Sequence, residues 1–76
     1  MSARSPATRA SVLLARYLAQ LASGPYGDER ALLALKSETF SAMAEAFEAD
    51  GVPDDAALAR RIAETARSRA VSEGRP

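Results

Sequence analysis

The segment spanning residues 28–50, together with Gly51 and Pro53 after it, constrains the fold of this 76-residue chain more than any other part. On a helical wheel at about 100° per residue, its apolar side chains fall on one arc covering roughly half the circumference. Such an arc is wider than one neighbouring helix can cover, so the segment is predicted to be a central helix with another helix on each side. The arc contains Leu32, Leu33, Leu35, Phe40, Met43, Ala44, Ala46 and Phe47. The side predicted to face water contains Arg30, Ser37, Ser41, Glu45 and Glu48.

Both ends of this central segment carry helix signals. Asp28 is a favourable N-cap, because its carboxylate can accept hydrogen bonds from the unpaired N–H groups of the first turn. Gly51 can adopt the left-handed conformation that commonly terminates a helix, and Pro53 prevents continuation in the same direction. The central helix is therefore predicted to end at about residue 50.

The N-terminal segment shows helical spacing as well. Ser5 followed by Pro6 is typical of an N-cap with proline at the first helical position, which predicts a helix over residues 6–23. Residues 23–27 contain two glycines and a proline, so a short loop between antiparallel helices is predicted there, with Tyr26 at the end of the bundle. The face predicted to pack on the central helix contains Ala10, Leu13, Leu14, Tyr17, Leu18 and Leu21.

The C-terminal segment is the third predicted helix. Pro53, Asp54 and Asp55 suit a first helical turn, because proline is pre-organised there and carboxylates complement the helix dipole. Helical spacing then continues to about residue 71. The predicted inner face contains Leu58, Ala59, Ile62, Ala66 and Ala70.

Together these segments predict one all-α domain over residues 1–76, a small three-helix bundle with helices at about residues 6–23, 28–50 and 53–71. Residues 1–5 and 72–76 are expected to be frayed ends. The alternative arrangement is a helical hairpin whose third helix docks on a second copy in a dimer. Alanine makes up roughly a quarter of the chain, which makes the core thin. A thin core favours self-association or stabilisation by a partner.

The composition removes several kinds of site. There is no cysteine, so a disulfide or thiolate metal site is impossible, and no histidine, the commonest general base and metal ligand. No phosphate-binding glycine loop follows a strand, so no enzyme activity, metal or cofactor is expected. No run of about 18 apolar residues occurs, so no membrane span is expected. Nine arginines against one lysine, with so much alanine, indicate a GC-rich genome and favour a bacterial or phage protein of the cytoplasm.

The formal net charge is zero, but the charges are segregated along the chain. Residues 1–27 carry three arginines and no acid, residues 28–55 carry eight acids against two bases, and residues 56–76 carry five arginines against two acids. The basic ends can complement the acidic middle within one bundle. The alternative is a basic binding face. Its candidate residues are Arg60, Arg61, Arg67 and Arg69.

Two further features bear on function. Lys36 interrupts the apolar arc of the central helix, either as a side chain whose stem packs while its ammonium reaches water or as a contact to another helix or partner. The side of the first helix opposite its leucines is a strip of small residues, which is either ordinary surface or a place where a partner helix can approach closely. That candidate partner-binding strip contains Val12, Ala15, Ala19 and Ala22.

The segment of residues 46–60 resembles a helix-turn-helix, with Gly51 in the turn and arginines in the following helix. Two departures weaken the resemblance. Phe47 stands where such motifs need a small residue for close crossing, and Asp54 and Asp55 would face phosphates at the start of the recognition helix.

These observations predict a small non-enzymatic helical binding protein that acts through a helix face on another protein or on a second copy of itself. An adaptor, an inhibitor or a regulatory subunit fits this description, including one encoded by a phage or mobile element. The alternative is a small DNA- or RNA-binding regulator that uses the arginines of the third helix. A structural subunit of a larger assembly is the second alternative.

Overall fold

The computed structural model describes residues 5–23 and 29–73, which form three helices. Helix α1 spans Pro6–Ala22, α2 spans Glu29–Ala49 and α3 spans Pro53–Glu73. The prediction of an all-α three-helix protein is confirmed. Residues 72 and 73, predicted to be frayed, belong to α3. The predicted loop with Tyr26 and the predicted N-cap Asp28 lie outside the described residues.

Side-chain and backbone caps define the helix ends that the sequence predicted. Ser5 is extended at the N-cap of α1, its side-chain oxygen accepts a hydrogen bond from the Thr8 amide, and Pro6 follows at the first helical position. At the end of α2, Gly51 has a φ of 76°. Its amide donates to the Glu48 carbonyl while the Val52 amide donates to the Phe47 carbonyl, the Schellman arrangement.

Helix α2 lies in the middle, and both other helices pack on it. Among the described residues, no Cα atom of α1 lies within 8 Å of one in α3, so the close backbone approaches of each outer helix are to α2. Contacts of Arg9 with Glu45 and of Leu13 with Thr39 show that α1 runs antiparallel to α2. The prediction of a central helix flanked on both sides is therefore confirmed.

The buried surfaces consist mainly of alanine. In α2, Ala42 and Ala44 are buried on two different sides, and Leu33 and Leu13 are the large aliphatic residues that join them in the core. Small side chains at a helix contact let the two backbones approach closely. The contribution of α3 is a row of one residue type, namely Ala56, Ala59, Ala63, Ala66 and Ala70.

This alanine packing corrects the predicted inner faces. Leu18 is 53% exposed and Leu58 is 55% exposed, although both were expected to face the core. The α2 side chain of Ser37, expected to face water, is only 7% exposed. The physical reason is that closely packed helices leave room for small groups at the contact, so the larger side chains lie at its edges.

Candidate protein-binding surface

Several of the larger apolar side chains that the helix contacts leave accessible lie together on one side of the molecule. Helix α2 is covered by α1 and α3 on its flanks, which leaves two open sides between them. One of these open sides is apolar, and its side chains are half-buried or exposed. We call this surface the apolar face, and its residues are Tyr17, Phe40, Met43, Phe47, Leu58 and Ile62.

Contacts across the helices make the apolar face continuous. The ring of Tyr17 on α1 meets that of Phe40 on α2 edge to face, with 6.5 Å between centroids and 80° between planes. On the other side of Phe40, a cavity of about 190 Å³ opens between α2 and α3. Its lining residues are Phe40, Met43, Phe47, Asp55, Leu58, Ala59 and Ile62.

A second cavity, of about 350 Å³, continues this depression along the same two helices. The two cavities share Leu58 and Ile62, so together they form one groove, which we call the α2–α3 groove. The second cavity has an apolar floor and a charged margin. Its lining residues are Leu33, Lys36, Leu58, Arg61, Ile62, Thr65, Ala66 and Arg69.

Three cations line the second cavity, with Lys36 of α2 and Arg69 of α3 toward its far end and Arg61 of α3 near the middle of the groove. No described carboxylate lies within 4.0 Å of their charged groups. The one acid that lines the groove, Asp55, is at the opposite end, beside Phe47. The groove is therefore apolar along its length, with cations from its middle to one end and a single carboxylate at the other end.

The other open side of α2 is polar, and ion pairs between helices cover it. Arg9 pairs with Glu45 at 3.0 Å, and Arg60 donates two hydrogen bonds to Glu48 at 2.8 and 2.5 Å. The hydrogen bond from Arg60 holds the pKa of the Glu48 carboxyl below its usual value, and the same contact raises the pKa of Arg60. Since these groups are half exposed, the pairs orient the helices more than they stabilise them.

The structure does not place the four candidate arginines of α3 on one surface. Arg60 and Arg67 line a cavity on the polar side of the molecule, whereas Arg61 and Arg69 line the α2–α3 groove. Helices α2 and α3 also pack side by side along their length, from Glu48 and Arg60 to Leu33 and Ala70. This antiparallel hairpin differs from the steep crossing of a helix-turn-helix.

The candidate strip on α1 is exposed except at Val12. Val12 is half-buried and lines a cavity with Arg9 and Arg16 of α1 and Glu38 of α2. Lys36 is half-buried and lines the α2–α3 groove together with Leu33 and Ile62. Partner binding by the strip and by Lys36 remains a prediction. The exposed members of the strip are Ala15, Ala19 and Ala22.

The α2–α3 groove is the feature that sequence patterns did not identify. Helical spacing placed Leu58 and Ile62 on the inner face of α3, because periodicity shows which residues share a face but not which part of that face touches a neighbour. A usable signal was present in the regular spacing of Ala56, Ala59, Ala63 and Ala66, which marks a close helix contact. The larger residues then had to lie beside that row.

Two kinds of site find no support in the described part of the chain. Residues 5–23 and 29–73 contain no group of three acidic, histidine or cysteine side chains placed to hold a metal ion. None of the described helices has a stretch both long enough and apolar enough to cross a bilayer.

Grooves between helices occur in many unrelated folds, so the geometry names a type of contact and not a family. The groove has the elements of a protein-binding site, namely an apolar floor with polar groups at its margin. No protein-family model matches the chain, and comparison with curated proteins and with solved structures gives no significant match.

Proposed function

We propose that this protein is a small helical binding protein whose apolar face docks on another protein, as an adaptor, inhibitor or regulatory subunit does. The observation that carries the proposal is the reversal of the usual burial order. Alanines occupy the helix contacts, while Phe40, Met43, Phe47 and Leu58 remain partly or largely accessible on one surface. A contiguous surface of large apolar side chains that remain accessible is characteristic of interaction sites.

A photo-crosslinking experiment tests the proposal. A photoreactive amino acid is placed at Leu58 on the apolar face, at Ala19 on the α1 strip, or at Ser68 on exposed surface of α3 as the control. Irradiation in the organism that encodes the protein is expected to give a discrete adduct from Leu58 alone. An adduct from Ala19 alone would show that the partner binds the α1 strip and not the apolar face. Equal labelling from all three positions would refute a defined docking face.

The alternative function, nucleic-acid binding, has less support in the geometry. Its four candidate arginines lie on two sides of α3, and Arg60 is already paired with Glu48. Retention on immobilised DNA at low salt with a steep loss as salt is added would favour it. The second alternative, a structural subunit, would appear in light scattering as ordered polymers and not as a complex of fixed mass.

A further inference from the structure

We propose that the occupant of the α2–α3 groove is an acidic amphipathic helix of a partner protein, with apolar residues along one face and carboxylates toward one end. The inference rests on the proposed function and adds the chemistry of the partner to it. Three properties of the groove support it: its shape, its charge distribution and its poor fit to a second copy of the chain.

The shape of the groove matches a helix. From Leu33 to Phe47, α2 contributes about 21 Å of wall at the helical rise of about 1.5 Å per residue. Helix α3 forms the other wall over the same distance, from Arg69 to Asp55. A partner helix of about four turns fills this length, and apolar residues at positions i, i+3, i+4 and i+7 would meet the apolar floor. An extended peptide would find no open sheet edge on this molecule, because every described element is a helix.

The charged side chains of the groove predict the charge of the partner helix and its orientation. Lys36 and Arg69 lie toward one end of the groove and Arg61 lies near its middle, and no described carboxylate is within 4.0 Å of their charged groups. Carboxylates of a partner at this end would form charge-assisted hydrogen bonds and would also speed association. Asp55 at the opposite end repels further acids, so the partner's acids are expected to be concentrated at one end of its helix.

A second copy of the chain fits the groove less well. The groove carries three cations and one carboxylate, so a two-fold contact between two such grooves pairs at most one cation per molecule through Asp55. The remaining two cations of each copy would be left at the interface with no acid to balance them. Charges left unpaired at an interface oppose association.

Synthetic helices test the inference on the full-length protein. One peptide has about 16 residues with leucine at the i, i+3, i+4 and i+7 positions and glutamate beside them at one end. The matched peptide has lysine in place of each glutamate. By fluorescence anisotropy, the glutamate peptide is expected to bind at least about tenfold more tightly, and added salt is expected to reduce this preference.

Two charge reversals on α3 locate the binding site. Arg69→Glu is expected to weaken binding of the glutamate peptide by about tenfold or more, because Arg69 lines the groove. Arg67→Glu makes the same change in net charge on the same helix but on the polar side, and binding is expected to stay within about twofold. Both positions are exposed, and circular dichroism verifies that the variants keep their helices.

Each contrary result has a distinct meaning. Equal affinity for the two peptides would overturn the acidic-partner inference and leave docking on an apolar surface in place. The inference also fails if neither peptide binds, or if light scattering shows a dimer that Leu58→Asp dissociates, since a second copy would then occupy the groove. Crosslinking from Leu58 tests the proposed function separately, because it depends on no assumption about the partner's charge.

Discussion

The most completely buried polar side chain, Thr39, links α2 to α1. Its relative exposure is 0%, and its hydroxyl donates toward the Leu35 carbonyl at 2.7 Å and the Leu13 carbonyl at 3.3 Å. The bond to Leu35 lies within α2, so the bond to the Leu13 carbonyl is the one that ties this hydroxyl to the observed position of α1.

Replacement of Thr39 tests that role. Thr39→Val keeps the branched shape but removes the hydroxyl, and we expect a loss of about 1 kcal/mol in the free energy of unfolding. The control is Thr65→Val, at an exposed position of α3, which should change it by no more than about 0.5 kcal/mol. Urea denaturation followed by circular dichroism measures both. Equal effects of the two substitutions would mean that the hydrogen bond from Thr39 to α1 contributes no measurable stability.

Gly51 provides a second test at the scale of single residues. Its φ of 76° is a conformation that residues with a Cβ atom adopt at a cost, and a Cβ there would contact nothing within 4 Å. Gly51→Ala is therefore expected to destabilise the protein by about 1 kcal/mol through backbone strain alone. Gly51→Asn is expected to lose less, because asparagine tolerates this conformation better. Thermal denaturation ranks the three proteins, and an alanine variant as stable as the parent would contradict the left-handed cap.

The Glu48–Arg60 pair predicts a pH dependence with a definite sign. The hydrogen bond from Arg60 lowers the pKa of Glu48, so the pair's stabilisation is complete above the ordinary pKa of glutamate and is lost as the pH falls through the lowered pKa. In Arg60→Met, an NMR titration should show the pKa of Glu48 returning upward. The melting-temperature difference between parent and variant should shrink over the same acid range. Arg61→Met, on the other side of α3, should leave the pKa of Glu48 unchanged.

At the scale of the elements, α1 shows that helical spacing leaves the contact side of a helix partly undetermined. Leu13 and Leu18 both belong to its predicted inner face, yet Leu13 is 6% exposed and Leu18 is 53% exposed. The contact is centred on Ala10, Leu13 and Ala42, which lets α1 lie close to α2 and leaves Leu18 beside it.

A pair of truncations measures this difference. Leu13→Ala is expected to cost about 2–5 kcal/mol, the range for a buried leucine, whereas Leu18→Ala should stay within about 0.5 kcal/mol. Denaturant midpoints of the two variants provide the comparison. If Leu18→Ala proves the more destabilising, α1 is rotated relative to the packing described above.

At the scale of the whole molecule, the two outer helices depend on α2 but not on each other. Helix α1 buries two residues, Ala10 and Leu13, whereas α3 buries five alanines against α2. An outer helix with fewer buried contacts separates from the rest at a lower free energy than global unfolding requires.

Amide hydrogen exchange should detect this difference. We expect the central amides of α1 to exchange faster than those of α2 and α3, because α1 can detach while the α2–α3 pair stays formed. NMR under native conditions follows each amide individually, so the exchange rates of the three helices can be compared. Equal protection in all three would mean that the molecule opens only as a unit.

The sequence by itself determined the helices and their order. Local signals decide where a helix begins and ends, so Ser5 with Pro6, and Gly51 with Pro53, identified boundaries that the structure confirms to within two residues. The wide apolar arc of residues 28–50 likewise predicted the central place of α2, because burying both flanks requires two neighbours.

Only the tertiary structure decided which part of each apolar stripe is buried, and with it the candidate binding surface. Periodicity treats alanine and leucine alike as apolar, whereas packing separates them by size, since close helices accept the methyl groups of Ala59 and Ala63 and leave Leu58 at the edge. Lys36 lines the same groove as Arg61 and Arg69 because of the way α2 and α3 align. That alignment depends on two surfaces in contact, so the pattern of a single helix cannot predict it.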